Sequence, residues 1–110
     1  MFLIKNNQPE IGTYKFRNRN MKQVRNLVGP QIRKVRYAQA LTQDQLAARL
    51  QRAGWDVSRV SIAKIESQLR WVADCELFML AHVLQVPIEE LFPGVKQVKQ
   101  FVGSPGFKRN

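Results

Sequence analysis

Apolar side chains recur every three to four residues through the middle of the chain, the spacing of α-helices that bury one face. The first such stretch follows Gly29 and Pro30, and proline is tolerated in the first turn of a helix, where its missing N–H has no partner to lose. We therefore predict a helix over residues 30–40, with Ile32 on its buried face. No alternating stretch is long enough to predict a sheet, and no internal repeat is present.

A second helix is predicted to begin at Thr42, because Gln45 follows three residues later with the spacing of a capping box. Gly54 can adopt the left-handed conformation that ends this helix. Ser58 then has the side chain of an N-cap and predicts a third helix that reaches about residue 68. The apolar positions of the second helix are Leu46, Ala47, Leu50 and Ala53.

The third helix is predicted to have two contrasting faces. Ile62, Ile65 and Leu69 share a narrow apolar face that must point into the core. The opposite face holds small or long basic side chains, namely Arg59, Val60, Ala63, Lys64 and Ser67. Such a face could enter the major groove of DNA, although a solvated helix surface would have the same composition.

Two further helices complete a compact all-α domain. One is predicted over residues 74–84, with Leu77, Leu80, Ala81 and Leu84 buried, and a short fifth helix follows Pro87 and carries Ile88, Leu91 and Phe92. We expect residues 29–92 to form the domain, residues 1–28 a partly disordered basic arm, and residues 93–110 a loosely held basic tail.

The formal net charge of +10 is concentrated at the two ends of the chain. Residues 1–28 hold six basic and one acidic side chain, and residues 93–110 hold four basic and no acidic ones. Residues 29–92 are nearly balanced, with eight basic and seven acidic side chains. Basic arms beside a near-neutral centre favour a polyanionic partner, because phosphate neutralisation releases counterions. Solubility or contact with an acidic membrane surface is the alternative from composition alone.

The sequence offers little for catalysis or metal binding. Cys75 is the single cysteine, which forbids an intramolecular disulfide and suits a reducing compartment. Cys75 and His82 would lie two helical turns, about 10 Å, apart, too far for one metal ion or a nucleophile pair. We expect both to be partly buried helix residues. There is no glycine-rich phosphate loop, no apolar run that could span a membrane and no apolar core of a signal peptide. We expect a cytoplasmic protein that is not an enzyme, needs no cofactor or metal and does not bind a membrane.

A set of residues between positions 32 and 92 matches the sequence pattern of a known protein family. It comprises Ile32, Val35 and Arg36, the run Leu41-Thr42-Gln43-Asp44-Gln45-Leu46-Ala47, Val57-Ser58-Arg59, Ile62, Ile65-Glu66, Leu80-Ala81, Val86 and Glu90-Leu91-Phe92. In this combination the chain resembles the lambda-repressor-like helix-turn-helix regulators, the broad Cro and xenobiotic-response-element family. The resemblance implies a compact five-helix DNA-binding domain with basic N- and C-terminal extensions.

The resemblance also implies a function. It implies a bacterial or phage transcriptional regulator, in most cases a repressor, that binds double-stranded DNA in a sequence-specific manner with its third helix in the major groove. Gln43 matches a glutamine that grips phosphate and supports this helix, and Arg36 matches an arginine that pairs with Glu66. The positions that match base-facing residues are Arg59, Val60, Lys64 and Ser67. A homodimer is expected, with the fifth helix or the C-terminal tail as candidate surfaces for the second copy or for another protein.

Two further elements would contact the DNA backbone. Ser58 should help to offer backbone donors at a helix N-terminus to phosphate. The arm around Arg17, Arg19 and Lys22 should follow phosphates or an adjacent groove.

The chain departs from the family pattern at several helix ends. Leu50 and Ser58 are eight positions apart instead of the usual three, so we expect residues 51–53 to extend the second helix and Trp55 to plug the joint. Ala73 lacks a capping oxygen, which leaves Asp74 to do part of that work. Three helix ends without the usual glycine, at Ala40, Gln68 and Gln85, are expected to close differently.

Two other functions fit the same fold. A protein-interaction module of antitoxin type would use residues 86–92 or Trp71 to hold another protein, with DNA binding secondary or absent. A protein that coats DNA without sequence preference would show similar affinity for random and for selected duplexes.

Overall fold

The computed structural model describes residues 24–103. Within this range the chain forms five α-helices and one 3-10 helix and no strand, which confirms the predicted all-α, five-helix class. The elements are α1 (Gly29–Ala38), α2 (Gln43–Arg52), α3 (Arg59–Glu66), α4 (Asp74–Leu84), the 3-10 helix (Ile88–Leu91) and α5 (Val95–Val102). Among these residues, every helix is too short or too polar to cross a bilayer. The predicted arm residues Arg17, Arg19 and Lys22 lie outside the described range.

The core is built from the apolar faces of α1 to α4 and one side chain of the 3-10 helix. Its fully buried members are Ile32, Leu46, Leu50, Ile62, Ile65, Leu80, Leu84 and Leu91. Burying one such side chain contributes roughly 1.5–3 kcal/mol, so this cluster is the main source of stability. α3 packs against both α1 and α2, and its direction is therefore set by two neighbours.

Side-chain oxygens start α2 and α3 at the predicted positions. The Thr42 hydroxyl accepts the backbone N–H of Gln45 at 3.0 Å, and the Gln45 side chain accepts that of Thr42 at 2.8 Å. The Ser58 hydroxyl accepts the N–H of Ser61 at 3.1 Å. Each bond satisfies a donor that a helix N-terminus otherwise leaves unpaired.

α4 begins at Asp74 as predicted but is capped in another way. Glu76, rather than Asp74, supports the first turn, because its carboxylate accepts the backbone N–H of Ala73 at 3.0 Å. The same carboxylate pairs with Arg70 at 2.9 and 3.0 Å. Glu76 therefore satisfies a backbone N–H at the start of α4 and also binds Arg70 in the preceding loop.

Ala40, Gln68 and Gln85 adopt left-handed backbone conformations, with φ of 57°, 65° and 59°. The expectation that these three helix ends close differently is wrong, because all three adopt the conformation typical of a helix-ending glycine. In each case the next residue donates its N–H to a carbonyl five positions earlier, from Leu41 to Arg36, from Leu69 to Lys64 and from Val86 to Ala81. These bonds offset the left-handed strain, which costs roughly 1–2 kcal/mol in a residue with a side chain.

The packed region extends past the predicted N-terminal boundary. Asn26 and Val28, assigned to the arm, are buried against the core. The predicted fifth helix is a single 3-10 turn, because Pro87 and Pro93 leave too few residues between them for an α-helix. The tail expected to be loosely held contains a helix that was not predicted, α5, and none of its residues is buried.

Several side chains are more exposed than the sequence predicts, among them Leu77, which is half-buried. Leu69 is 48% exposed, because α3 ends at Glu66 and the chain turns at Gln68. Cys75 and His82, expected to be partly buried, are both exposed, and the His82 ring stacks on Phe78 instead.

Candidate nucleic-acid interface

The packing of α3 on α1 depends on a close approach at Gly29. A Cβ atom at this position would lie 2.8 Å from the carbonyl oxygen of Glu66 and closer still to that of Ile65. Asn26 completes the contact, since its amide donates to the carbonyls of Ile65 at 3.1 Å and Arg70 at 2.8 Å. Its side-chain oxygen accepts the N–H of Gly29 at 2.8 Å. This junction fixes the inner side of α3.

A buried polar network fixes the C-terminal end of α3. Arg36 donates to the two carboxylate oxygens of Glu66 at 2.7 and 2.9 Å and to the carbonyl of Leu41 at 2.7 Å. The side-chain amide of Gln43 donates to the same carboxylate at 3.0 Å. The structure thus brings together three of the sequence-predicted residues, Arg36, Gln43 and Glu66. They join α1, the start of α2 and α3 in one cluster.

The outer face of α3 is free of the core. Val60 is 52% exposed and Arg59, Lys64 and Ser67 are also exposed. Ser67 lies one residue past the helix, at its C-cap, and not within it as predicted. The acidic side chain of α3, Glu66, points inward to Arg36, so its charge does not oppose an anion at the outer face.

The lengthened turn between α2 and α3 is held by its own hydrogen bonds. Gly54 has φ of 109°, and the N–H of Trp55 donates to the carbonyl of Leu50 at 2.9 Å. The side-chain amide of Gln51 donates to the carbonyl of Val57 at 2.8 Å, just before the Ser58 cap. α2 does extend to Arg52. The half-buried Trp55 packs against the core, the position expected of a plug.

A pocket where α1 meets α2 was not predicted from the sequence. It has a volume of about 510 Å³ and is lined by Arg33, Arg36, Tyr37, Ala40, Leu41, Thr42 and Gln43. The guanidinium carbons of Arg33 and Arg36 lie 5.6 and 4.7 Å from the centre of the Tyr37 ring. The pKa of the exposed Tyr37 hydroxyl is lowered by the neighbouring guanidinium groups, first that of Arg33 and then that of Arg36. The signal available in the sequence was the four-residue spacing of Arg33 and Tyr37 on one helix face.

The acidic partner of Arg59 was not predicted either. Asp44, in the first turn of α2, has a carboxylate oxygen 3.6 Å from the Arg59 Nε atom. The N-terminal ends of α2 and α3 therefore meet beside the outer face of α3. Within residues 24–103, no three metal-binding side chains of the His, Cys, Asp and Glu types cluster together.

Comparisons with known proteins agree with this geometry. The helix-turn-helix family HTH_3 matches residues 32–91. The restriction-modification controller protein C.AhdI from Aeromonas hydrophila is 28% identical, with a TM-score of 0.53 over 59% of this chain and 87% of that chain. The DNA-binding domain of BldD is 26% identical, with a TM-score of 0.55 over 66% of this chain and 100% of that one. The hypothetical transcription factor NHTF from Neisseria shares the fold at 17% identity, with a TM-score of 0.56 over 70% and 83%. No curated protein sequence matches the chain.

Proposed function

Because the chain belongs to the helix-turn-helix family HTH_3, we propose that it is a transcriptional repressor that binds double-stranded DNA in a sequence-specific manner. The observation that carries the proposal is the outer face of α3, where Arg59, Val60 and Lys64 are exposed around a helix whose acid is turned inward. The two similar structures named as a controller protein and a DNA-binding domain support DNA as the ligand.

In this proposal α3 lies in the major groove. Arg59 or Lys64 would donate to guanine O6 and N7, and Val60 would contact a thymine methyl group. Ser67 would contact the groove edge from the C-cap of α3. The backbone N–H groups at the start of α3, beside Ser58, would bind a phosphate.

The pocket between α1 and α2 would hold a second phosphate. Arg33 and Tyr37 lie beside the start of α2 there, and Gln43 lies at the same edge. Gln43 would then hold Glu66 in place and contact the DNA backbone, which links phosphate binding to the placement of α3. The basic arm with Arg17, Arg19 and Lys22 would add contacts to phosphates or to the adjacent groove.

A homodimer would place two copies of α3 on half-sites roughly 34 Å apart. The surface proposed for the second copy is α5 with the preceding 3-10 helix. Val95 is 72% exposed there, and Val102 and Ile88 are also exposed. Sedimentation of the free protein would reveal the dimer, and exchange of Val95 and Val102 for Asp should shift it to a monomer.

Selection of bound duplexes from a random pool tests the proposed function. We expect enrichment of one sequence with two related halves, bound at least about 10³-fold more tightly than random duplex. Equal affinity for all duplexes would instead identify a protein that coats DNA, and absence of binding would reject the proposal.

The antitoxin-type alternative is favoured by one observation, the same exposed apolar side chains of α5. A pull-down from cell extract with and without nuclease separates the two functions. Material that is lost on nuclease treatment supports the regulator, and a protein retained at constant yield supports the interaction module.

A further inference from the structure

Asp44 is an acid at the edge of a surface that is otherwise suited to anions. Its carboxylate faces Arg59 across 3.6 Å, and the two side chains are 79% and 53% exposed. Both residues lie in the first turns of their helices, α2 and α3. A bound duplex that contacts Arg59 would therefore bring its phosphates close to Asp44.

Stability gives little reason for an acid at this position. An exposed ion pair contributes little to folding, because water and salt screen both charges. The N-terminus of α2 favours an acid, but the Thr42–Gln45 capping box already satisfies donors there. On a DNA-binding surface, a carboxylate also repels phosphates and reduces affinity for every sequence.

The geometry of the pair points to another role. The closest contact is made by the Nε atom of Arg59, on one edge of the planar guanidinium group. The terminal amino groups have no hydrogen-bond partner among residues 24–103, so they can donate two parallel hydrogen bonds, the arrangement that reads guanine O6 and N7.

We propose that Asp44 is a positioning residue that holds the Arg59 guanidinium for base recognition and thereby sets specificity at one base pair. The proposal rests on the function proposed above. It predicts two opposite effects of removing the carboxylate. Affinity for random duplex rises, because a charge that repels phosphate is gone, while discrimination at the base pair read by Arg59 falls.

The test measures binding of the full chain to the selected duplex, to its single-base-pair variants and to random duplex. Asp44→Asn removes the charge with little change in size. Asp74→Asn is the matched control, because it makes the same exchange in the first turn of another helix. Arg59→Ala and the double variant Asp44→Asn/Arg59→Ala complete a double-mutant cycle. Thermal melting of each variant checks that it is folded.

We expect Asp44→Asn to bind random duplex about twofold to fivefold more tightly. Discrimination should fall by about fivefold or more at one base pair and remain unchanged at the others, the same base pair that Arg59→Ala affects. In the Arg59→Ala background the exchange should cause no further loss of discrimination. Asp74→Asn should match the parent in every duplex.

Two results would overturn the positioning role. One is full discrimination by Asp44→Asn at the base pair that Arg59→Ala affects. The other is an equal loss at that base pair with and without Arg59. The parent protein distinguishes the two failures. A parent without sequence preference would reject both the proposed function and the positioning role. A parent and an Asp44→Asn variant that discriminate equally would reject the positioning role alone.

Discussion

Arg36 and Glu66 are 30 residues apart in sequence and meet in two parallel hydrogen bonds of 2.7 and 2.9 Å. Both residues are only 5% exposed. The hydrogen bond to Glu66 raises the pKa of Arg36, against the opposing effect of burial, so the guanidinium stays charged. Because Gln43 donates to the same carboxylate, this pair connects the internal support of α3 to the surface proposed for DNA.

Arg36→Ala should destabilise the protein by about 3–5 kcal/mol, because it leaves the Glu66 carboxylate buried without its partner. Urea unfolding followed by circular dichroism measures the change. Arg33→Ala, on the exposed side of the same helix, should stay within about 0.5 kcal/mol of the parent. A loss for Arg36→Ala that is no larger than the control would contradict the structural role of the pair.

Gly29→Ala should destabilise the protein by about 1–3 kcal/mol, because the added methyl group meets the backbone carbonyls of Ile65 and Glu66. Gly103→Ala is the matched control, since its Cβ would lie 3.5 Å from the nearest atom, an ordinary contact. The free energies of unfolding of both variants check this prediction. Equal values would show that α1 and α3 do not approach closely at Gly29.

The contribution of Glu76 to stability should depend on pH. Its pKa is lowered from 4.5, first by the hydrogen bond from Arg70 and also by the backbone N–H of Ala73, against the effect of burial. A lowered folded-state pKa gives stability that is present above the unfolded value and is lost as the pH falls through the folded value. Glu76→Gln should therefore cost about 1 kcal/mol at pH 7.

The difference between the Glu76→Gln variant and the parent should shrink as the pH falls below 4.5. Urea midpoints measured from pH 7 to pH 2.5 give the profile. A difference that is constant over this range would show that the charge of Glu76 is not involved.

Exchange of Arg17 and Arg19 for Gln should weaken binding to target and random duplexes alike. For each phosphate that the variant no longer neutralises, the slope of log affinity against log salt should become shallower by about 1. Titrations at several salt concentrations measure the slope. A weakening confined to the selected duplex would mean that the arm reads sequence and not the backbone charge alone.

Local chemistry made the helix starts predictable. Thr42 and Ser58 carry capping oxygens that act within three residues, and the periodic Leu and Ile positions specify which face is buried. The long turn was also predictable, because eight positions separate Leu50 from the Ser58 cap and Gly54 lies between them.

Relations between distant elements were harder to predict. The partner of Arg59 depends on how the starts of α2 and α3 meet, which the spacing along the chain does not specify. The left-handed conformation of Gln68 opposes its local preference and persists because the surrounding packing requires it, with its side chain bound to the carbonyl of Asn26. The exposure of Leu69, which follows from this turn at Gln68, was not predicted for the same reason.

Binding of Arg59→Ala and Lys64→Ala to the selected duplex and its variants tests whether the outer face of α3 reads base pairs. For each side chain that contacts a base, we predict a loss of about 1–3 kcal/mol, with relaxed preference at the base pair it reads. Arg52→Ala, at the end of α2, should retain full discrimination. Arg59→Ala and Lys64→Ala variants that remain folded and match the parent on every duplex would show that this face does not read base pairs.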